Sequence, residues 1–382
     1  MKHALFGCAL MQTFMALLGA NATWAQAPSP PGNPDSQKYP VSLASYDQGP
    51  PTIPREGPQA PIMAESLSET PPAEPGAELA PHCTTCDDGS CVSCRDLRPD
   101  CQDCPRFGFL AFSGADTFRN IADGAFQSNF GSVSGLNAAV PLPRFEALGL
   151  GWQLGASYGV YDLSGRSSST SHPSGVQQQI FITTGFFHRG NDGQRFSYGL
   201  VYDWMINNNY GASAVPPTLG QWRGQAEWAF SSFNSLGIWA TVRDKGFNRQ
   251  APENALQISP LSQLDFFWHH KYAQGADSWF YLGLPTQKKL GGPGTLGEFI
   301  MGGSAQVPIS PQLAMYANAM YMWPSASSGA VAATQDAYNV GFGLAWYPGL
   351  NARTRTVNGG CWLPYLPLAN NGNFLVDMAG PY

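Results

Sequence analysis

The chain has 382 residues, of which only 12% are charged and 13% aromatic, with 43 Gly and 32 Pro. About a quarter of residues are charged in an average soluble domain, so this balance argues against a typical cytosolic enzyme. The formal net charge of −6 provides no electrostatic footprint for nucleic acid.

Residues 1–25 read as a secretory signal peptide. Lys2 and His3 open it, an apolar run from Ala4 to Ala20 follows, and Ala20-Asn21-Ala22 or Thr23-Trp24-Ala25 offers a small-residue cleavage site. Beyond it no apolar run approaches the ~20 residues of a spanning helix. A membrane protein made from the rest has to cross as a closed barrel, the other structure that satisfies every backbone polar group in hydrocarbon. Residues 26–82 are rich in Pro and poor in aromatics. Such a tract buries too little apolar surface to offset chain entropy and is predicted to be a disordered periplasmic spacer.

Residues 83–104 carry three CxxC pairs: Cys83 with Cys86, Cys91 with Cys94, and Cys101 with Cys104. Two such pairs can complete a tetrahedral thiolate site for a structural zinc or another metal. The gaps between the pairs are shorter than in a zinc ribbon. Exported thiols normally oxidise, which favours disulfide staples over a metal, with a redox-active dithiol as a third reading. No pair is followed by His, so covalent c-type haem is excluded and no other cofactor is called for. Cys361 lies apart in the tail, either free, paired between chains or bound to an odd member of the cluster.

From residue 107 the texture changes to short alternating runs. In Leu150–Tyr161 the even positions Trp152, Leu154, Ala156, Tyr158 and Val160 are apolar, and the odd ones are mostly Gly, Gln and Ser. Successive strand side chains point to opposite faces, so this segment has one greasy and one small polar face. Twelve strands are predicted, near 107–114, 131–141, 150–161, 177–188, 194–206, 219–230, 235–245, 256–269, 277–285, 297–307, 312–323 and 336–347. Most have the ~9–12 residues that a tilted strand needs to cross a bilayer. The eleven connections alternate long and short, the rhythm of an outer-membrane barrel with short periplasmic turns, longer external loops and both termini periplasmic. The predicted fold is therefore an all-β, antiparallel transmembrane barrel of about twelve strands over 105–348, with a periplasmic tail at 349–382.

Three segments, Phe107–Asp116 (F-G-F-L-A-F-S-G-A-D), Gly151–Tyr161 and the closing V-G-F-G-L-A-W-Y of 340–347, carry a resemblance. With the leader, spacer and CxxC order, the chain resembles a family of functionally uncharacterised outer-membrane barrels from planctomycete-type bacteria. The resemblance implies a location and a fold, and no reaction.

Function would then reside in the lumen. Arg195, Asp203, Arg223, Glu227, Arg243, Lys245, Asp265 and Glu298 fall on the polar faces, where they either pair into a plug or line a channel for small polar solutes. Twelve strands lie between the filled eight-stranded barrel and the open porins, which leaves the choice to the structure. His188, with Thr184 on the same face, and His269-His270 end strands and are the candidates for a lipid hydrolase, but no nucleophile–base–orienter spacing accompanies them. The expected role is non-catalytic: a narrow channel or a structural envelope protein. Its partners would be membrane lipid, small polar solutes and a periplasmic cell-wall or envelope component. The alternative is a soluble exported β-protein that binds glycans or proteins through its loops.

Overall fold

The structure is a computed structural model and describes residues 107–379. Not described are 124–127, 146–147, 164–165, 168–172, 175, 191–194, 212, 251–254, 289, 291–295, 325–335, 349–351 and 353–361. The leader and the spacer lie outside the described residues. So does the whole cysteine cluster that was weighed between disulfides and a metal, namely Cys83, Cys86, Cys91, Cys94, Cys101 and Cys104, together with Cys361 of the tail. No described helix is long and apolar enough to cross a membrane.

Twelve strands close into one antiparallel barrel. They are β1 (Gly108–Arg119), β2 (Asn129–Pro141), β3 (Leu150–Tyr161), β4 (Gln177–His188), β5 (Phe196–Asn208) and β6 (Thr218–Ala229), followed by β7 (Asn234–Lys245), β8 (Gln263–Lys271), β9 (Asp277–Pro285), β10 (Gly297–Pro308), β11 (Leu313–Pro324) and β12 (Ala337–Trp346). Each pairs with its neighbour in sequence, and β1 closes on β12 from Ala111↔Trp346 to Arg119↔Tyr338. The start of β1 and the end of β12 share a rim with the shorter turns, here the turn rim. The longer connections gather at the opposite loop rim.

The period-2 pattern sorts the two faces. Outward residues include Trp228, Leu200, Phe342 (61% exposed) and Phe266 (63%), whereas inward Gln153, Asp203 and Gln221 are wholly buried. A greasy outside around a polar inside is the arrangement of a barrel standing in lipid, the inverse of a sandwich core. The residues that would have formed a dry sandwich interior, among them Tyr198, Trp228 and Phe342, all face outward.

Two departures from the sequence reading matter. The predicted strand 256–269 is two elements: Leu256–Pro260 leaves the barrel and only Gln263–Lys271 belongs to it. Pro260 lacks the N–H a central ladder needs, so the chain breaks at Pro260-Leu261-Ser262. Leu256–Pro260 instead pairs with Phe247–Arg249 on one side and Val376–Ala379 on the other, in a small sheet at the loop rim.

The larger departure is the tail. Read from sequence as a periplasmic appendage, Trp362–Ala379 runs through the lumen from the turn rim to the loop rim. Leu363 packs with Tyr347 and Ala345 at the turn rim, and Leu366 with Phe187 and Val201 further in. Phe374, Leu375 and Val376 join an apolar cluster with Leu219, Leu261 and Ile300 under the loop rim. Fully burying one such side chain contributes about 1.5–3 kcal/mol, which a tail left in water would forgo. A turn at Asn370–Asn373 redirects the segment. Asn370 Oδ1 accepts from the Gly372 and Asn373 amides (2.8 and 3.1 Å), while Asn373 Oδ1 accepts from the Asn370 amide (2.9 Å). Such Asx contacts are how asparagine closes a turn locally.

Candidate functional site

The inward faces of β2 to β6 hold the tail by its backbone. On β3, Gln153 Oε1 accepts from the Tyr365 and Leu366 amides (3.2 and 3.0 Å), and its Nε2 donates to Leu366 O (2.9 Å). One side-chain amide thus substitutes for a neighbouring strand. Glycines flank it at 151 and 155 on the same face, and a Cβ at Gly155 would meet Leu368 and Asn137. The strand has no bulk there, and the tail fills the gap.

The mid-lumen centres on an ion pair. Asp203 (β5) accepts from Arg223 Nε and Nη2 (2.8 and 3.0 Å), from Thr183 Oγ1 (2.7 Å) and from Gln221 Nε2 (3.3 Å). Arg223 Nη2 also donates to Pro367 O (2.7 Å), and the Ala369 amide donates to Thr183 Oγ1 (3.0 Å). A buried ion pair holds only if the remaining donors and acceptors are satisfied; here the tail supplies part of that satisfaction.

Two further clusters grip the tail above and below. Towards the loop rim, Asp116 accepts from Tyr161 (2.8 Å), Asn339 (2.6 Å) and Asn371 of the tail (3.3 Å), and Asn371 also donates to Gln179 (2.8 Å). Towards the turn rim, Arg189 donates to Leu363 O and Pro364 O (3.2 and 3.1 Å), with its guanidinium 5.8 Å from the Tyr365 ring centre. Glu227 Oε1 lies 2.7 Å from His269 Nδ1 and its Oε2 accepts from the Tyr365 hydroxyl (3.4 Å). His269 is stacked on Trp279, with ring centres 4.0 Å apart.

The eight lumen residues named from sequence divide evenly. Asp203, Arg223, Glu227 and Asp265 are buried inside, and both carboxylate oxygens of Asp265 lack a hydrogen-bond partner among the described residues. Arg195, Arg243, Lys245 and Glu298 are exposed at the rims. Arg195 precedes β5 at the turn rim, whereas the other three sit at the loop-rim ends of β7 and β10, beside register shifts between Gly220 and Gln221 and between Gly297 and Phe299. Parity along a strand places a side chain on a face; it does not say how far the strand extends past the packed interior.

Gln153, Asp116, Arg189 and the tail residues Tyr365 and Asn371 were not found from sequence. The first strand was predicted to end at residue 114, two short of Asp116; continuing the alternation to Phe118 would have exposed it. The tail run L-P-Y-L-P-L-A-N-N-G-N-F-L-V is also too apolar for a solvated appendage. Of the histidines, His188 Nδ1 meets Leu148 O (2.8 Å) and its ring stacks on Tyr198, while His270 Nδ1 meets Asn234 Oδ1 (2.8 Å). Thr184 is engaged by Trp152 Nε1 (3.1 Å) and Gln153 O (3.1 Å). Among the described residues no His bonds a Ser or Thr hydroxyl, and no group of three or more His, Cys, Asp or Glu could hold a metal ion.

Beside the tail a cavity of about 250 Å³ remains, lined by residues of β1–β4 and β6–β12 and by the tail itself. Its wall is largely aromatic and aliphatic, with Phe112, Trp239, Phe267, Trp279, Tyr281 and Tyr316 around it.

A family model described as a family of unknown function (DUF6666) matches residues 107–376, from the first barrel strand into the strand that ends the tail. A search of curated proteins gave no match. Among solved structures the chain is similar to the KdgM porin, at 9% identity over 62% of this chain and 98% of that one, with a TM-score of 0.35. It is similar to the Salmonella typhi outer membrane phospholipase (OMPLA) dimer with bound calcium, at 8% identity over 63% and 90%, TM-score 0.36. A Pseudomonas aeruginosa FadL homologue follows at 9% over 63% and 87%, TM-score 0.34. Likenesses this low carry no argument about what the chain does.

Proposed function

The chain belongs to that family of unknown function, and we propose that it is a non-catalytic outer-membrane barrel, a narrow path for small polar solutes that its own tail holds shut. The observation that carries this reading is the passage of Trp362–Ala379 through the lumen, bonded to β3, β4 and β6 at Gln153, Thr183, Arg223 and Gln221. The polar surface facing that path, interrupted by a removable segment of the same chain, is what a gated channel requires. The apolar outer face supports placement in the outer membrane, where lipid is the first partner.

The N-terminal portion completes the proposal. A cleaved leader, a Pro-rich spacer reaching a cell-wall or envelope component, and a CxxC segment would sit in the periplasm of a planctomycete-type bacterium. In that segment Cys83, Cys86, Cys91, Cys94, Cys101 and Cys104 would be stapled by disulfides rather than hold a metal. That part rests on sequence alone.

Single-channel recording in a planar bilayer tests the function. The full chain is expected to be silent or to open rarely, and a variant ending at Gly360 to conduct steadily. A steadily conducting full chain would overturn the closed state. One observation favours a second reading, a structural envelope barrel: the loop rim is sealed by an apolar cluster rather than by polar groups. That reading prevails if the shortened variant migrates as a folded barrel and still does not conduct.

A further inference from the structure

The tail forms one side of the cavity, and the wall facing it, on β7 to β12, is more apolar than the polar grip. Inward positions on β10 and β12 are small: Gly302 and Ser304, then Gly341, Gly343 and Ala345. The small residues open the space, and the aromatic rings of neighbouring strands border it. Phe112 and Tyr316 meet edge to face on one side (ring centres 5.8 Å apart), and Trp239 and Tyr281 do so on the other (5.9 Å).

The polar groups on the wall are mostly committed. Asp116 already has three donors, Asn318 donates to Asn339 (2.6 Å), Gln306 accepts from Tyr347 (2.7 Å), and Arg223 is paired with Asp203. One group is not. The Tyr316 hydroxyl is buried over Gly114 and Gly343 without a hydrogen-bond partner among the described residues. A buried hydroxyl left unpaired is unfavourable, and a ligand atom that pairs with it removes the penalty.

We propose that this cavity is a binding site for a small, flat, uncharged and mostly apolar molecule bearing one hydroxyl-type group that pairs with Tyr316. An apolar cavity of about 150 Å³ accommodates benzene, so the 250 Å³ here suits a fused two-ring compound. No wall charge lacks a partner of its own, which disfavours an ionic ligand. The proposal rests on the tail occupying the lumen, because residues 364–373 form one side of the cavity.

The test is calorimetric titration of the full chain in lipid nanodiscs with 1-naphthol, naphthalene and glucose, with empty discs as reference. Saturable one-to-one binding of 1-naphthol beyond the empty-disc signal, with none of glucose, is the expected result. Ser304→Phe fills the cavity and should weaken 1-naphthol at least ten-fold. Tyr316→Phe keeps the ring and should weaken 1-naphthol about five-fold, the worth of one neutral hydrogen bond, while leaving naphthalene unchanged. Uptake of 1-naphthol no greater than by empty discs, or glucose binding as tightly, overturns the site. If Ser304→Phe does not fold, Tyr316→Phe decides alone, and equal 1-naphthol affinity overturns the proposal. A full chain that is electrically silent yet binds no 1-naphthol refutes the site and leaves the closed-barrel reading standing.

Discussion

Arg223→Ala should destabilise the barrel by about 3–5 kcal/mol, the cost of leaving one member of a buried ion pair without its partner. The structure sets the size. Asp203 and Arg223 are both almost fully buried, and Arg223 supplies two of the four hydrogen bonds that Asp203 accepts. After truncation the carboxylate keeps only the neutral donors Thr183 and Gln221, and Pro367 O of the tail loses its donor. The double variant Asp203→Asn with Arg223→Met removes both charges together. It should recover up to about half of that loss, leaving a deficit of about 1.5–3 kcal/mol, the worth of a hydrogen bond to a charged group. Urea titration in phospholipid vesicles, read by the gel mobility of the unboiled protein, measures both. If Arg223→Ala lies within about 0.5 kcal/mol of the parent, as surface substitutions do, the pair is solvated and the tail does not occupy the lumen. If the double variant is as unstable as the single one, the reasoning about an uncompensated charge fails instead.

Gln153→Ala should strand the Tyr365 and Leu366 amides at about 1–3 kcal/mol each, visible as faster protease cleavage within 362–375 at an unchanged barrel band; equal cleavage rates would contradict the grip described. Phe342→Lys, on the outer face, should lower folding stability in vesicles by about 2–4 kcal/mol if the residue lies near the bilayer midplane, whereas the same change on a water-facing surface would be neutral. A tag placed after Tyr382 should label from the same side of the membrane as Asn248→Cys at the loop rim and from the side opposite Phe233→Cys at the turn rim. Co-labelling with Phe233→Cys would show that the tail does not thread the barrel. Shortening the chain to Gly360 should convert a silent protein into a conducting one without loss of the compact band.

How much of this was legible beforehand follows from the range of the forces involved. Strand alternation is a local property: Trp152 points out and Gln153 in because adjacent residues of an extended chain face opposite ways. The twelve strands, their up-and-down order and the greasy outer face could therefore be read directly from the residues. The break at Pro260 was legible in principle, since one missing N–H interrupts a ladder. The grip on the tail was not. Gln153 and Leu366 are 213 residues apart, and no spacing announces that one will serve as a neighbouring strand for the other. Nor does an Asp at 203 reveal that the Arg at 223 beside it will also donate to Pro367 O.

The amino-acid order by itself determined a closed sheet with a greasy face outside and polar groups within, because a period of two is enforced residue by residue. Whether that interior would be water or protein was decided only in three dimensions. Lumen amides and carboxylates need partners once buried, and the segment that satisfies them is recruited from the far end of the chain by shape and unpaired hydrogen bonds rather than by any local pattern.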